Sequence, residues 1–190
     1  ALLVRLRRNV RRYREKLGDL RLDSLADLCR FPFTAQEDMV ESFPYGMFAF
    51  PLREVIRLHS TLGPEGKPLV IGYTRNDLAQ WGRLVARQLG ASGVTANDVI
   101  QISLGGSVHS GAPGYVLGAE LIEASVIAED PLHIDHQLAM LQNYRPTILI
   151  TTPTNALDLM RTIEERRIDP QSLFLRTVLL TLLLAAAAAF

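Results

Sequence analysis

Leu6, Val10, Tyr13 and Leu17 recur at intervals of three and four among arginines, the spacing of an amphipathic helix with one apolar stripe. Asp23 can cap a turn that runs through Cys29 and stops at Pro32, and Thr34 with Glu37 has capping-box spacing, which predicts a helix across Gln36–Glu41. Pro44, Gly46 and Pro51 then break the chain into loop. From Glu54 the pattern changes. Val55–Leu58 and Leu69–Tyr73 read as strands flanking the Gly-rich turn Ser60–Lys67. Thr74 or Asn76 can cap a long helix that carries Leu78, Trp81, Leu84, Val85 and Leu89 on one face and closes at Gly90. Short apolar strands follow at Val99–Ser103, Ser125–Ala128, Thr147–Ile150 and Thr177–Leu180, separated by helical segments at Tyr115–Glu123, Leu132–Asn143 and Asn155–Arg166. Strands alternating with helices in this way indicate βαβ units and a parallel sheet covered on both faces, so the expected class is α/β. No internal repeat is evident. Val178–Phe190 is apolar apart from Thr181 but spans only thirteen residues, short of the roughly twenty that a membrane helix needs.

Composition narrows the class. A chain of 190 residues, 48% hydrophobic and 21% charged, can bury one sizeable core, as one domain or two small ones. Twenty basic and twenty acidic residues cancel, which argues against a globally basic nucleic-acid binder. The balance is uneven, however. Residues 1–30 hold nine basic side chains and four acids, and the rest carries the compensating negative charge. The preferred reading of this segment is a solvated arginine face on a helix packed against the body, with nucleic-acid or membrane-surface contact as the minor one. A single cysteine, Cys29, excludes an internal disulfide and a cysteine-based zinc site, and its apolar neighbours predict a buried thiol in a reducing compartment. The N-terminus lacks the apolar core of a signal peptide, so a cytoplasmic location is expected. A start at Ala1 and the run Ala185–Ala189 before Phe190 read as ends that have been cut.

Three segments could carry chemistry. His59, Ser60, Thr61, Gly63, Gly66 and Lys67 supply the glycines, hydroxyls and cation of a phosphate loop, and equally those of an ordinary hairpin turn. It is not a Walker A loop, because Pro68 and a strand follow Lys67; Pro64 removes a donor, and Glu65 repels phosphate. Gly105, Gly106, His109 and Gly111 follow a strand and precede a helix, at the carboxyl end of the sheet where α/β proteins bind ligands. A loop packing a helix tightly onto the sheet explains them equally well. Thr152, Pro153, Thr154 and Asn155 occupy the corresponding place after another strand, where hydroxyls also cap helices. His133 and His136 lie three apart beside Asp130 and Asp135, but a third metal ligand is not apparent, and helix-end histidines are the preferred reading. No metal site and no catalytic side chain is assigned.

Taken in order, these segments resemble the phenylacetate–CoA ligases, members of the adenylate-forming enzymes. Leu25–Thr34 followed by Tyr45-Gly46-Met47-Phe48-Ala49-Phe50-Pro51 is similar to that family's entry segment. Arg57–His59 through Gly72–Thr74 resembles its phosphate-loop region, Asp77–Trp81 the helix after it, and Gly118–Glu120 and Arg145–Pro153 continue the likeness. The resemblance runs from about Leu6 to Leu180. It implies an ATP- and Mg²⁺-dependent ligase that converts an aryl or acyl carboxylate to an acyl-adenylate and then to a coenzyme A thioester. The implied setting is the cytoplasm, as a homodimer, with no nucleic-acid or membrane partner. The resemblance also implies phosphate and nucleotide binding by His59, Ser60, Thr61, Gly63, Gly66 and Lys67, and a substrate pocket at Gly105, Gly106, His109, Gly111, Thr152, Pro153 and Asn155. The implied organisation is a helical segment over 1–52, part of the large α/β domain over 53–180, and an unassigned tail over 181–190, with the small C-terminal domain absent.

The departures are specific. The family loop reads Ser-Ser-Gly-Thr-Thr-Gly-Lys-Pro, whereas this chain has Leu62, Pro64 and Glu65 in place of one serine and both threonines. Gly106 and Asn155 stand at tyrosine positions and His109 at a phenylalanine position, which points to an acid other than phenylacetate. Thr181–Leu184 replaces a Gly-Ala-Glu-Pro adenine-contacting motif. Without the later nucleotide motifs, a chain of this extent is expected not to complete the reaction alone. A catalytically degenerate relative that binds a ligand or partner is the rival expectation.

Overall fold

A computed structural model describes residues 2–62, 66–104, 112–127 and 133–181. It divides into two compact units, one running to Arg75 and the other starting at Asn76.

In the first unit the predicted N-terminal helix is two helices, α1 (Leu2–Asn9) and α2 (Arg11–Leu17). The break falls at Val10, which is fully buried in an extended conformation. Arg14 compensates for the interruption, donating from Nε to the Arg7 carbonyl and from Nη2 to the Arg8 carbonyl, each at 2.9 Å. Helix α3 (Gln36–Glu41) forms where expected, with a shifted cap. The Asp38 carboxylate, rather than Glu37, accepts the Ala35 N–H at 2.8 Å, while the Thr34 hydroxyl pairs with Tyr13. Asp38 also holds Arg12 Nε at 2.7 Å and Lys16 Nζ, joining α2 to α3, and these donors keep its carboxyl well below the usual range. Arg5 lies 4.4 Å over the Phe50 ring. Much of the basic segment is thus spent on partners within the unit. The Cys29 thiol, expected to be buried, is exposed, because its 3₁₀ turn Leu25–Arg30 buries no residue.

Strands β1 (Val55–Leu62) and β2 (Pro68–Thr74) pair antiparallel, from Val55 opposite Thr74 to Leu62 opposite Pro68. Strand pairing extends further than the predicted turn allowed, taking in Ser60, Thr61 and Leu62.

The second unit is the α/β body. Helix α4 (Arg75–Ala91) leads into β3 (Val99–Ser103), α5 (Ala112–Leu121), β4 (Ser125–Val126), α6 (Ile134–Asn143), β5 (Ile148–Thr151), α7 (Pro153–Glu165) and β6 (Thr177–Leu180). Helix α4 outruns Gly90 and closes at Gly93, whose φ of +81° suits glycine. There Gly93 N–H reaches the Gly90 carbonyl and Val94 N–H the Leu89 carbonyl, at 3.0 and 3.1 Å, a Schellman closure.

The four strands run parallel in the order β4-β3-β5-β6. The right-handedness of parallel crossovers then assigns each helix to a face. The chain leaves β3 toward β4 in one direction, then returns past β3 to β5 and on to β6 in the other, so α5 covers one face and α6 and α7 cover the opposite one. One face packs Val85 and Leu89 of α4 and Tyr115 and Ala119 of α5 on Ile100, Ile102, Ile148 and Ile150. The other packs Leu138 and Leu141 of α6 and Leu159 of α7 on Leu149. Glycine permits close contact between α4 and α5: a Cβ on Gly114 would lie 2.4 Å from the Trp81 ring. At the amino ends of three strands, buried Asp98 takes Arg176 Nε and Nη2 at 3.0 and 2.6 Å and the Thr147 hydroxyl at 2.7 Å. Those donors hold the Asp98 carboxyl far below its ordinary range, with Arg176 the main cause.

Candidate functional site

The strand order reverses between β3 and β5, which makes that gap the topological switch point of the sheet. In open α/β sheets the connections leave such a point in opposite directions and open a crevice at the carboxyl ends of the strands. By that rule the crevice of this sheet lies at the last residues of β3 and β5 and the start of α7.

Its walls are polar where the strands are otherwise apolar. Gln101, Ser103 and Thr151 project toward the α6–α7 layer, and with Gln137 of α6 all four are at most 3% exposed. Thr151 Oγ1 donates to the Ser103 carbonyl at 2.7 Å and accepts Asn155 Nδ2 at 2.8 Å. Asn155 and Gln137 face each other as reciprocal amides: Asn155 Nδ2 donates to Gln137 Oε1 at 2.7 Å, and Gln137 Nε2 donates to Asn155 Oδ1 at 3.1 Å. Gln101 Nε2 donates to Ser103 Oγ at 3.1 Å and to the Gln137 carbonyl at 3.4 Å. Gln101 Oε1 has no hydrogen-bond partner among the described residues. An orphaned buried acceptor costs about 1–3 kcal/mol, so the network carries an unmet demand for a donor.

Thr152 and Pro153 open α7. Thr152 is its N-cap, accepting the Asn155 N–H at 3.2 Å, and Pro153 occupies the first helical turn, where its missing N–H costs nothing. The structure therefore places Thr152, Pro153 and Asn155 together at the start of α7. Gly105, Gly106, His109 and Gly111 lie outside the described residues, in the stretch joining β3 to α5. Sequence reasoning missed Gln101, Ser103, Gln137 and Thr151, although a signal was present. Gln101 and Ser103 interrupt an apolar strand at two-residue spacing, and Gln137 interrupts the apolar face of Ile134, Leu138 and Leu141.

The expected phosphate-loop residues belong to the first unit. His59 packs edge-on against Tyr73 at 4.9 Å, Ser60 is exposed, and Thr61 lies in β1. Gly66 takes a left-handed φ of +72°, and exposed Lys67 precedes β2. Gly63 lies outside the described residues, as do Pro64 and Glu65. His133 and His136 are exposed at the start of α6. Among the described residues no cluster of three His, Cys, Asp or Glu side chains could hold a metal ion. None of the described helices is long and apolar enough to cross a membrane.

No family model matches the chain. Among characterised proteins it is 38% identical over 173 residues to the phenylacetate–coenzyme A ligase of Pseudomonas putida, covering 88% of this chain and 39% of that one. It is likewise 38% identical over 155 residues to the ligase of that name from Aromatoleum evansii, covering 82% and 35%. The chain thus spans under two fifths of each of these relatives. In fold it is similar to 2-hydroxyisobutyryl-CoA ligase solved with 2-HIB-AMP and CoA, with a TM-score of 0.81 at 24% identity over 95% of this chain and 42% of that one. O-succinylbenzoate coenzyme A synthetase from Bacillus subtilis, solved with AMP, matches over 67% of this chain with a TM-score of 0.52. Over the part that it shares with them, the chain is a homologue of the phenylacetate–coenzyme A ligases, and it has the α/β fold seen in 2-hydroxyisobutyryl-CoA ligase.

Proposed function

We propose that this chain forms the acid-binding part of an ATP-dependent carboxylate–CoA ligase. The observation that carries the reading is the 38% identity to a phenylacetate–coenzyme A ligase across 88% of the chain. A carboxylate is a poor electrophile. Attack of its oxygen on the α-phosphorus of ATP expels pyrophosphate and leaves an acyl-adenylate. The thiol of coenzyme A then loses its proton as its sulfur attacks the acyl carbonyl, and AMP departs with its bonding pair. The crevice between β3 and β5 holds the acid, with the Thr152 hydroxyl and the Asn155 amide at its wall. Gly66 and Lys67, with His59, Ser60, Thr61 and Gly63, form the phosphate contact, where backbone N–H groups and a cation offset charge on the leaving pyrophosphate. Gly105, Gly106, His109 and Gly111 complete the acid pocket. Mg²⁺ accompanies ATP as its counter-charge. The whole enzyme acts in the cytoplasm as a homodimer, which light scattering checks.

The test is carboxylate-dependent ATP–pyrophosphate exchange by the full-length protein against a panel of aryl and alkyl acids. Exchange with at least one acid is expected. No exchange with any acid, together with no ATP binding, contradicts the reading and favours a second one, a degenerate relative that binds without catalysis. The Pro64-Glu65 pair in the loop motivates that alternative. Under it, Pro64→Thr with Glu65→Thr raises ATP affinity; an unchanged affinity shows that the loop is not a damaged phosphate site.

A further inference from the structure

We propose that the amide network at the switch point selects a carboxylic acid bearing a hydrogen-bond donor, a hydroxyl or an amino group, over the unsubstituted acid. The inference rests on the acid-binding reading of this crevice and names the substrate class within it. It comes from counting hydrogens. Both Nδ2 hydrogens of Asn155 are committed, one to Gln137 Oε1 and one to Thr151 Oγ1. Both Nε2 hydrogens of Gln101 are committed, one to Ser103 Oγ and one to the Gln137 carbonyl. The Thr151 hydroxyl hydrogen goes to the Ser103 carbonyl.

On the Gln101 and Asn155 amides, acceptor capacity is what remains. Gln101 Oε1 is buried and has no partner among the described residues, and Asn155 Oδ1 accepts one hydrogen bond where an amide oxygen takes two. Asn155 is also only half-buried, so its side chain is within reach of the crevice. The amide heads cannot simply turn over to present donors. Turning Asn155 or Gln137 would place like groups together across the reciprocal pair, and turning Gln101 would set its oxygen against the Gln137 carbonyl. These two amides are therefore locked with oxygens outstanding. An apolar ring edge leaves those oxygens unpaired, and a second carboxylate is repelled by them. A hydroxyl or amine pairs with one. Because leaving a buried polar group unpaired costs more than making the bond gains, such sites discriminate against the analogue that lacks the donor.

The experiment uses the full-length protein and three probe acids of graded chemistry: phenylacetate, its ring-methyl derivatives and its ring-hydroxyl derivatives. It reads kcat/KM for pyrophosphate release and, separately, equilibrium binding of each acid by calorimetry. The wild type is expected to favour a hydroxylated acid over its methylated counterpart by roughly tenfold or more. Asn155→Leu and Gln101→Met each reduce that ratio toward one, mainly by weakening the hydroxylated acid. A residue that served only the fold would change all three acids alike. Selective binding without turnover supports the network and overturns the ligase reading. Turnover without selectivity overturns the network and leaves the ligase reading standing, and neither binding nor turnover overturns both. If a variant does not fold, the wild-type ratio decides.

Discussion

At the residue scale, the crevice and the opposite end of the sheet spend polar groups in different ways. Asp98 is closed on itself: Arg176, Thr147 and Thr95 satisfy its carboxylate, and the three strand starts that it ties together gain rigidity. Removing the charge leaves donors unpaired. Asp98→Asn is expected to lower stability by about 1.5–3 kcal/mol, the range for hydrogen bonds to charged groups, as read by urea unfolding at neutral pH. The pH dependence has a definite sign. Asp98 and Asp38 both titrate below their unfolded values, so their stabilisation is complete above the unfolded carboxylate range, roughly pH 4. It is lost as the pH falls below that range. The urea midpoint should therefore drop between about pH 4 and pH 2, and less steeply in Asp98→Asn. An equal slope in the variant would mean that other carboxylates govern the acid limb. The crevice is the contrast, because Gln101 Oε1 is left open.

At the scale of elements, the alternation of apolar strands and helices after Glu54 located the parallel strands among the described residues to within a residue or two, because a strand buried on both faces has to be a short apolar run. The errors arose where one residue's local geometry outweighed the period. Helical spacing through Val10 could not reveal a break whose carbonyls are capped by the Arg14 side chain, six and seven residues further on. Gly90 fits a helix stop by type, but Gly93 adopts the positive φ. Cys29 sits among apolar neighbours that themselves stay exposed, Leu25 and Leu28. The candidate site was half legible: cap chemistry marks Thr152, Pro153 and Asn155, whereas Gln101 and Gln137 become partners only once the sheet order is known. Packing between α4 and α5 is testable at its tightest point. Gly114→Ala forces a methyl into the Trp81 ring and should cost about 1–3 kcal/mol, as overpacking does. Adding Trp81→Leu should recover part of the loss in thermal unfolding. No loss in the single variant would show that α4 and α5 can move apart.

At the scale of the whole molecule, zero net charge conceals a basic N-terminal segment whose charges are largely engaged by Asp38, Glu15, Glu41 and backbone carbonyls. Few are left for phosphates. The protein is expected to pass through immobilised DNA at moderate salt with a shallow salt dependence, and retention that falls steeply with salt would contradict this. The chain also covers less than two fifths of the two ligases that it resembles at 38% identity, so its chemistry is to be sought in the full-length protein. The proposed activity of the full-length protein is conversion of a carboxylic acid to a coenzyme A thioester at the expense of ATP. Direct detection of acyl-CoA by mass spectrometry, from ATP, Mg²⁺, coenzyme A and a panel of hydroxylated and plain acids, tests it. A thioester and stoichiometric AMP are expected with a donor-bearing acid; neither product from any acid, with an intact folded protein, would contradict the proposed activity.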